Sequence, residues 1–284
     1  MKQDNPSLTA HRVAIMRVAH QIFDNPKVFE DPIALSIIGT QSVSDIRTEK
    51  RKFASRIHKY LRAIVVARSR FVEDELSIAI NRGIRQYVIL GAGLDTFAYR
   101  NPHSSIGLRV FEVDYPSTQE WKRQKLDSAK IPIPETLTFA PIDFENQALA
   151  DQLGEAGFRT DEPSFFSWLG VTMYLSRETM MTTLKYISSS TPIGSGIVFD
   201  YVMPPSSQKF LRRLIFRLLS NKVRSFGEPW QTFYDPNSLI TDLKAIGFTQ
   251  VEDIGPEEIN ARFFNDRVNK LMVGNFGHLM KAQL

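Results

Sequence analysis

The chain has 284 residues, with 35 Lys and Arg, 31 Asp and Glu, five His and no Cys. Its hydrophobic fraction of 43% and charged fraction of 23% are typical of a folded globular protein and exclude a disordered or collagen-like chain. Without Cys, disulfides, thiolate nucleophiles and zinc–thiolate or iron–sulfur sites are excluded. The net charge of +4 is too small to indicate a nucleic-acid partner.

Charge is distributed unevenly along the chain. Residues 1–86 carry 15 basic and 9 acidic side chains, residues 203–234 carry 6 and 1, and the rest carry 14 and 21. This pattern indicates a basic cap and a basic lid around an acidic body, which suits a pocket for a small acidic substrate. The N-terminus is not a secretory signal, and no apolar run reaches the roughly 18 residues of a membrane span. We therefore expect a soluble, cytoplasmic protein without a membrane span.

The first 85 residues predict a helical cap. Apolar residues recur at helical spacing over 8–23, 33–38 and 49–81, and the first of these segments ends at Asn25-Pro26. We see no β-type alternation in this part of the chain.

From Gln86 onward, strands and helices are predicted to alternate. Short apolar runs predict buried strands at 87–90, 110–114, 136–140, 164–169 and 196–201. Helical patterns lie between them at 117–129, 145–156 and 176–190. A further helix at 237–246 and strands at 249–254 and 277–282 predict an antiparallel hairpin at the C-terminal edge. The order predicts a doubly wound, Rossmann-like α/β sheet.

We expect a single domain made of four parts. These are a cap (1–85), a cofactor-binding core (86–203), a helical lid insertion (204–234) and the C-terminal part of the core (235–284). The basic amphipathic helix at 207–224 has three interpretations: a lid over the substrate, a membrane-surface helix, or a packed helix with a solvated face.

A glycine loop and a strand-end carboxylate form the strongest local signal. Gly91-Ala92-Gly93 follows the first predicted strand and precedes a predicted helix, and Asp114 ends the next strand. Glycines there let the backbone turn tightly against a ligand, and a carboxylate at that place can accept both hydroxyls of a ribose. The alternative is a structural turn with a surface acid.

Two cofactors fit this pattern. Folds that bind NAD prefer a third glycine five residues after the first, and this chain has Thr96 there. S-adenosylmethionine has no pyrophosphate and tolerates a bulkier loop, so the loop favours it. An NAD(P)-dependent oxidoreductase remains the alternative, as does a non-catalytic protein that binds S-adenosylmethionine.

Several motifs together resemble the leucine carboxyl methyltransferase-like family of bacterial S-adenosylmethionine-dependent O-methyltransferases. They are Ala67-Arg68-Ser69-Arg70-Phe71, residues 88–96 with Tyr99-Arg100, Phe111-Glu112-Val113-Asp114-Tyr115-Pro116, residues 141–144, residues 170–175, Gly227-Glu228-Pro229 and Gly247-Phe248. The resemblance covers nearly the whole chain and implies a class I methyltransferase fold. Some family members methylate polyketide carboxylates.

The resemblance also implies roles for six residues toward S-adenosylmethionine. Arg68 would bind its carboxylate, Gly91 and Gly93 would pass under the methionine, Asp114 would accept the ribose hydroxyls, and Asp143 and Phe144 would flank the adenine. Two positions depart from the family pattern. Leu169 stands where members commonly have Glu, and Phe97 stands where many have Arg.

The acceptor side of the site is less defined. Tyr174 and Tyr201 follow strands at the edge where ligands bind and are candidate substrate-binding residues, although packing alone also explains them. Asp95 is either a helix cap or part of the site. The scattered His residues predict no metal site. We expect methyl transfer to a carboxylate of a small molecule, which is ionised at neutral pH and requires no catalytic base.

Overall fold

The computed structural model describes residues 7–144, 147–204, 230–265 and 269–284. Nearly all of the predicted lid insertion, including its helix at 207–224, lies outside the described residues. The first two residues of the predicted helix at 145–156 lie outside them as well.

Within these ranges the chain forms the following helices and strands. The helices are α1 (Leu8–Phe23), α2 (Pro32–Ile38), α3 (Thr40–Thr48), α4 (Lys50–Phe53), α5 (Arg56–Asn81), α6 (Pro116–Ser128), α7 (Leu149–Glu155), α8 (Arg177–Ser190), α9 (Pro236–Ala245) and α10 (Pro256–Phe263). The strands are β1 (Gln86–Leu90), β2 (Arg109–Asp114), β3 (Leu137–Pro141), β4 (Ser164–Trp168), β5 (Gly196–Val202), β6 (Gln250–Ile254) and β7 (Gly277–Gln283).

The strands form one seven-stranded sheet in the order β3-β2-β1-β4-β5-β7-β6. The first five are parallel, whereas β7 is antiparallel to both β5 and β6. The order reverses between β1 and β4, which makes this the switch point where ligands bind in such sheets. The predicted doubly wound sheet with an antiparallel C-terminal edge is confirmed. Helix α10 lies in the connection between β6 and β7 and was not predicted.

Alternate side chains of each strand enter two separate cores. Tyr87 and Ile89 of β1 pack on the face that α5 covers, whereas Val88 and Leu90 pack on the face covered by α7, α8 and α9. Burial on both faces explains why the parallel strands read as continuous apolar runs rather than as alternating patterns.

Within the N-terminal cap, buried ion pairs join the end of α1 to α5. The Arg62 guanidinium donates to both carboxylate oxygens of Asp24, at 2.6 and 3.1 Å, and His20 Nδ1 lies 2.9 Å from the same carboxylate. All three residues are buried. The cap is helical as predicted, but 40–48 forms an unpredicted helix, and the predicted helix at 49–81 divides into α4 and α5.

The helix predicted directly after the glycine loop is absent, so this prediction was wrong. Residues 91–108 are all described and contain two short 3-10 turns, at Phe97–Arg100 and Ser104–Ile106. Pro102 cannot donate a backbone hydrogen bond and disfavours helical backbone at Asn101, so the first turn ends there. The loop therefore has no α-helix N-terminus beside it.

Two isoleucines, one in the last turn of α8 and one three residues after its end, test the two-face core. Ile187 is completely buried, whereas Ile193 is 87% exposed. We expect Ile187→Ala to lower the free energy of unfolding by about 2–5 kcal/mol because it leaves a cavity. Ile193→Ala should change it by less than about 0.5 kcal/mol. Urea denaturation of both variants measures the difference, and equal losses would contradict this packing.

Candidate active site

A cavity of about 550 Å³ lies at the carboxyl ends of the parallel strands. Its walls come from the loops that follow β1, β2, β3 and β4, together with α1 and α5. Of the predicted site residues, it brings together Arg68, Gly91, Gly93, Asp114, Asp143, Phe144 and Tyr174. Parallel strands end at one edge of the sheet, so residues far apart in sequence meet there.

The glycine loop requires glycine for conformation and for space. Gly91 and Gly93 have φ angles of +65° and +50°, in the left-handed region that favours glycine. A Cβ on Gly91 would lie 2.3 Å from Cγ2 of Val171. The Gly93 N–H donates to Asp114 Oδ2 at 2.5 Å, and the Tyr115 N–H donates to Oδ1 at 2.7 Å. The carboxylate of Asp114 is thereby held in place at the cavity wall.

A second strand-end carboxylate holds the other side of the cavity. The Arg68 Nη1 donates to Asp200 Oδ2, and the Gly170 N–H donates to Asp200 Oδ1, both at 2.5 Å. A Cβ on Gly170 would lie 2.6 Å from Arg68 Nη2, so glycine is needed there too. Sequence reasoning missed Asp200, although an acid in the fifth strand, near its carboxyl end, repeats the pattern of Asp114.

The Arg68–Asp200 pair is buried, and it leaves N–H donors of the guanidinium available for a ligand. The side chains are 8% and 4% exposed. One guanidinium carries five N–H donors, and the contact with Asp200 uses one nitrogen. A planar fork at the cavity wall suits a carboxylate, as predicted for Arg68.

Asp95 acts both as a cap and as an ion-pair partner. Its Oδ1 accepts from the N–H of Phe97 at 2.8 Å, at the start of the 3-10 turn, and its Oδ2 accepts from Arg17 Nη2 at 2.7 Å. Arg17 is buried in α1 and also donates to Ser69 Oγ at 3.1 Å. Sequence reasoning missed Arg17, and the available signal was an arginine inside an otherwise apolar helix face.

The remaining wall of this cavity is aromatic and apolar. Phe144 stacks on Trp168, with ring centroids 5.9 Å apart and an interplanar angle of 30°. Asp143 and Leu169 also line the cavity. Leu169 is thus at the site where the family Glu was expected, but it supplies no carboxylate there.

The side chains of Phe97 and Thr96 are buried and make contacts within the protein. Phe97 is buried and meets Tyr87 edge to face at 5.1 Å. Thr96 is fully buried, and its hydroxyl donates to Asp31 Oδ2 at 2.7 Å. Thr96, which stands at the position of the third glycine of NAD-binding loops, therefore joins this loop to the N-terminal cap.

A second cavity of about 440 Å³ adjoins the first. Both are lined by Thr9, Val13, Arg68, Gly170 and Tyr174, which we call the junction. Tyr201 lines only the second cavity and is 1% exposed, and its hydroxyl donates to Asp253 Oδ1 at 2.6 Å. Burial, followed by this hydrogen bond, raises the pKa of Tyr201, so the hydroxyl stays protonated.

The glycine loop can be tested against another glycine of similar backbone conformation. Gly107 has φ +72°, and a Cβ there would meet nothing within 4 Å. We expect Gly107→Ala to lower the free energy of unfolding by about 1 kcal/mol, from backbone strain alone. Gly91→Ala should lower it by about 2–4 kcal/mol because the methyl also collides with Val171. Equal losses in chemical denaturation would contradict the close approach.

The Asp95–Arg17 pair predicts an acid-dependent loss of stability. Burial acts to raise the pKa of Asp95, but the Arg17 charge and, more weakly, Lys122 and Arg100 outweigh it and lower the pKa from 3.8 to about 2. Its contribution is therefore complete above the unfolded pKa and is lost as the pH falls toward 2, by about 1 kcal/mol at pH 3.

The measurement compares unfolding free energies at pH 6 and pH 3. Asp95→Asn should lose about 1 kcal/mol less than the native protein over this interval. Asp127→Asn, on the exposed side of α6, is the control and should match the native protein. If Asp95→Asn also matches it, the pKa of Asp95 is not lowered.

None of the helices in the described ranges is long and apolar enough to cross a membrane.

Among solved structures, the chain resembles that of a "putative methyltransferase" from Thermobifida fusca YX, with a TM-score of 0.58, 14% identity and coverage of 98% of this chain and 95% of the other. A DUF574 family protein from Streptomyces avermitilis gives a TM-score of 0.55 at 14% identity, over 96% and 97% of the two chains. At these identities the likeness shows the fold alone.

Sequence comparison identifies the family. A Bacillus subtilis (strain 168) protein, "Putative S-adenosyl-L-methionine-dependent methyltransferase YktD", is 32% identical over 99% of both chains. A Mycobacterium marinum protein with the same description, without the final name, is 27% identical over 78% of this chain and 71% of its own. The family model for leucine carboxyl methyltransferase matches residues 10–188. The chain belongs to the leucine carboxyl methyltransferase family and is an S-adenosylmethionine-dependent methyltransferase.

Proposed function

We propose that this methyltransferase methylates a carboxylate oxygen of a small molecule. One observation supports it above the others: a second cavity, rich in cationic side chains, opens onto the first cavity at the junction. Among the described residues that line it, the cationic ones are Arg12, Lys52, Arg56 and Arg68. Arg68 pairs with Asp200, the single acid among these lining residues, and Lys52 pairs with Glu49 outside the cavity. This charge balance favours an anionic acceptor.

The residues of the first cavity fit S-adenosylmethionine. Bound there, the cofactor supplies a methyl group activated by its sulfonium charge. Arg68 would bind its carboxylate, the positive-φ backbone of Gly91 and Gly93 would lie beneath its methionine part, and Asp114 would accept its ribose hydroxyls. Asp143 would accept from the adenine amino group, and Phe144 would pack beside the ring.

The chain's task in this reaction is alignment. A carboxylate is already ionised near neutral pH, so no residue has to remove a proton. In this transfer the acceptor oxygen would bond to the methyl carbon as the bond from that carbon to sulfur breaks, so that the carboxylate and sulfonium charges would cancel. The products are a neutral methyl ester and a neutral thioether. Tyr174, at the junction, would contact the acceptor, and Tyr201 would contribute its ring to the cavity wall.

The ester product has lost the negative charge that the cationic lining attracts. The ester should therefore dissociate from the site more readily than the unmethylated acid does. The same charge argument makes a small acidic molecule, rather than a nucleic acid, the proposed partner.

Turnover with a panel of carboxylic acids and phenols tests the proposed function. We expect S-adenosylhomocysteine and a methyl ester to form from at least one acid, with a rate that stays level from pH 6 to pH 8, because no base titrates. Mass spectrometry detects both products. If no acid in the panel yields S-adenosylhomocysteine and a methyl ester, whether or not the phenols react, the proposed carboxylate methylation is wrong.

Asp114→Asn tests the proposed ribose contact. The amide accepts less strongly than a carboxylate, so we expect S-adenosylhomocysteine to bind at least about tenfold more weakly, a loss of about 1.4 kcal/mol. Asp161→Asn, whose native side chain is 69% exposed, is the matched control and should bind normally. Calorimetric titration measures both. An unchanged affinity in a folded Asp114→Asn protein would remove the ribose assignment.

A further inference from the structure

One long wall of the second cavity is a single face of α5. The α5 residues that line the cavity are Arg56, His58, Tyr60, Leu61, Ile64, Val65 and Arg68. All of them except His58 follow one another at steps of one, three or four residues and lie within one half of the helix circumference. Arg56 and Arg68 are twelve residues apart, which corresponds to about 18 Å along the helix axis. Between these two cations, α5 presents a histidine, a tyrosine and three aliphatic side chains to the cavity.

The facing walls are also largely apolar. Outside α5, the lining residues that the structure describes include Thr9, Arg12, Lys52, Asp200 and Asn275 as polar or charged members, and the following apolar ones: Val13, Ile15, Met16, Phe53, Met173, Val202, Trp230, Val273 and Phe276. A cavity of about 440 Å³ falls in the range that encloses a small organic ligand. Such a long apolar slot favours a hydrocarbon chain, because its burial is worth about 0.8 kcal/mol for each methylene group.

The two ends of the slot differ in burial and therefore in role. At the junction, Arg68 is buried and lies beside the first cavity, where the methyl group is supplied. At the other end, Arg56 is exposed, and Lys52 is 52% exposed and pairs with Glu49. Exposed cations contribute little binding energy but raise the rate at which an anion arrives. The reacting carboxylate therefore belongs at the junction, and the chain extends along α5 toward Arg56.

We propose that the second cavity is the acceptor site and that the acceptor is a carboxylic acid with a long, unbranched apolar chain. This inference rests on the proposed carboxylate methylation and names the class of its substrate. It requires two properties at once, since neither the charge nor the chain alone fits the slot. A short acid leaves the apolar walls in water, and a cationic amphiphile meets a lining that holds four cations and one acid.

Three ligands separate these requirements in calorimetric titrations with S-adenosylhomocysteine present. Dodecanoate is the probe, butanoate keeps the charge without the chain, and dodecyltrimethylammonium keeps the chain with the opposite charge. All are used below their micellar concentrations. We expect one dodecanoate to bind per chain, at least tenfold more tightly than either control. Absence of saturable dodecanoate binding, or equal affinity for one of the controls, would overturn the proposal.

Two tryptophan substitutions on the same helix locate the site. Leu61 lines the slot and is half-buried, so Leu61→Trp should fill it and weaken dodecanoate binding at least tenfold. Ile78 lies on α5 outside both cavities and is 41% exposed, so Ile78→Trp is the matched control and should bind normally. Met16→Trp fills the slot from α1 and replaces Leu61→Trp if that protein does not fold. Native affinity in a folded slot variant would place the ligand elsewhere.

Methyl dodecanoate formation distinguishes this inference from the function on which it rests. Dodecanoate that binds in the slot but yields no methyl ester with S-adenosylmethionine would overturn its role as acceptor, and the carboxylic acid panel then decides the proposed function. Turnover of other acids, without binding of dodecanoate, would overturn the slot assignment and leave carboxylate methylation standing. Binding together with ester formation supports both.

Discussion

Two carboxylates near the ends of strands hold the candidate active site together. Asp114 on β2 accepts the N–H of Gly93 in the turn after β1, and Asp200 on β5 accepts the N–H of Gly170 in the turn after β4. In both cases the strand carrying the acid is a direct neighbour of the strand before the turn. An ionised acceptor makes a stronger hydrogen bond to a backbone N–H than a neutral one. The sheet order therefore determines the shape of both turns, and the turns determine the cavity.

The same two acids lie at different cavities. Asp114 faces the first cavity, where it is proposed to meet the ribose. Asp200 lies against the second cavity, and its partner Arg68 lines both. Asp200 compensates the charge of the buried Arg68 but accepts a hydrogen bond from only one of its nitrogens. The guanidinium can therefore donate to a ligand, and it is not an unpaired buried charge without one. One ion pair thus lies between the proposed cofactor site and the proposed acceptor slot.

The uneven charge of the sequence has a structural explanation. Basic residues of the cap reach into the acidic body as ion pairs: Arg17 pairs with Asp95, and Arg68 pairs with Asp200. The cap also supplies most of the cations of the second cavity. The proposed lid at 204–234 falls almost wholly outside the described residues, so its place in this arrangement stays a prediction.

Periodicity and motif spacing were sufficient for the sheet, because buried parallel strands and their strand-end acids have strong local signals. They failed where contacts between residues far apart in the sequence determine the local structure. The turn after Gly93 was predicted to start a helix, but Pro102 and the attachment of Thr96 to Asp31 stop it. Arg17 and Asp200 were missed because their partners lie 78 and 132 residues away. A pairing at that distance leaves no periodic trace in one sequence.

The most direct test of the account is a crystal structure with S-adenosylhomocysteine bound. In that structure we expect the ribose hydroxyls to lie on Asp114, the amino-acid carboxylate to lie on Arg68 and the sulfur to face the junction with the second cavity. A sulfur atom directed away from that junction, or a ribose that does not contact Asp114, would contradict it.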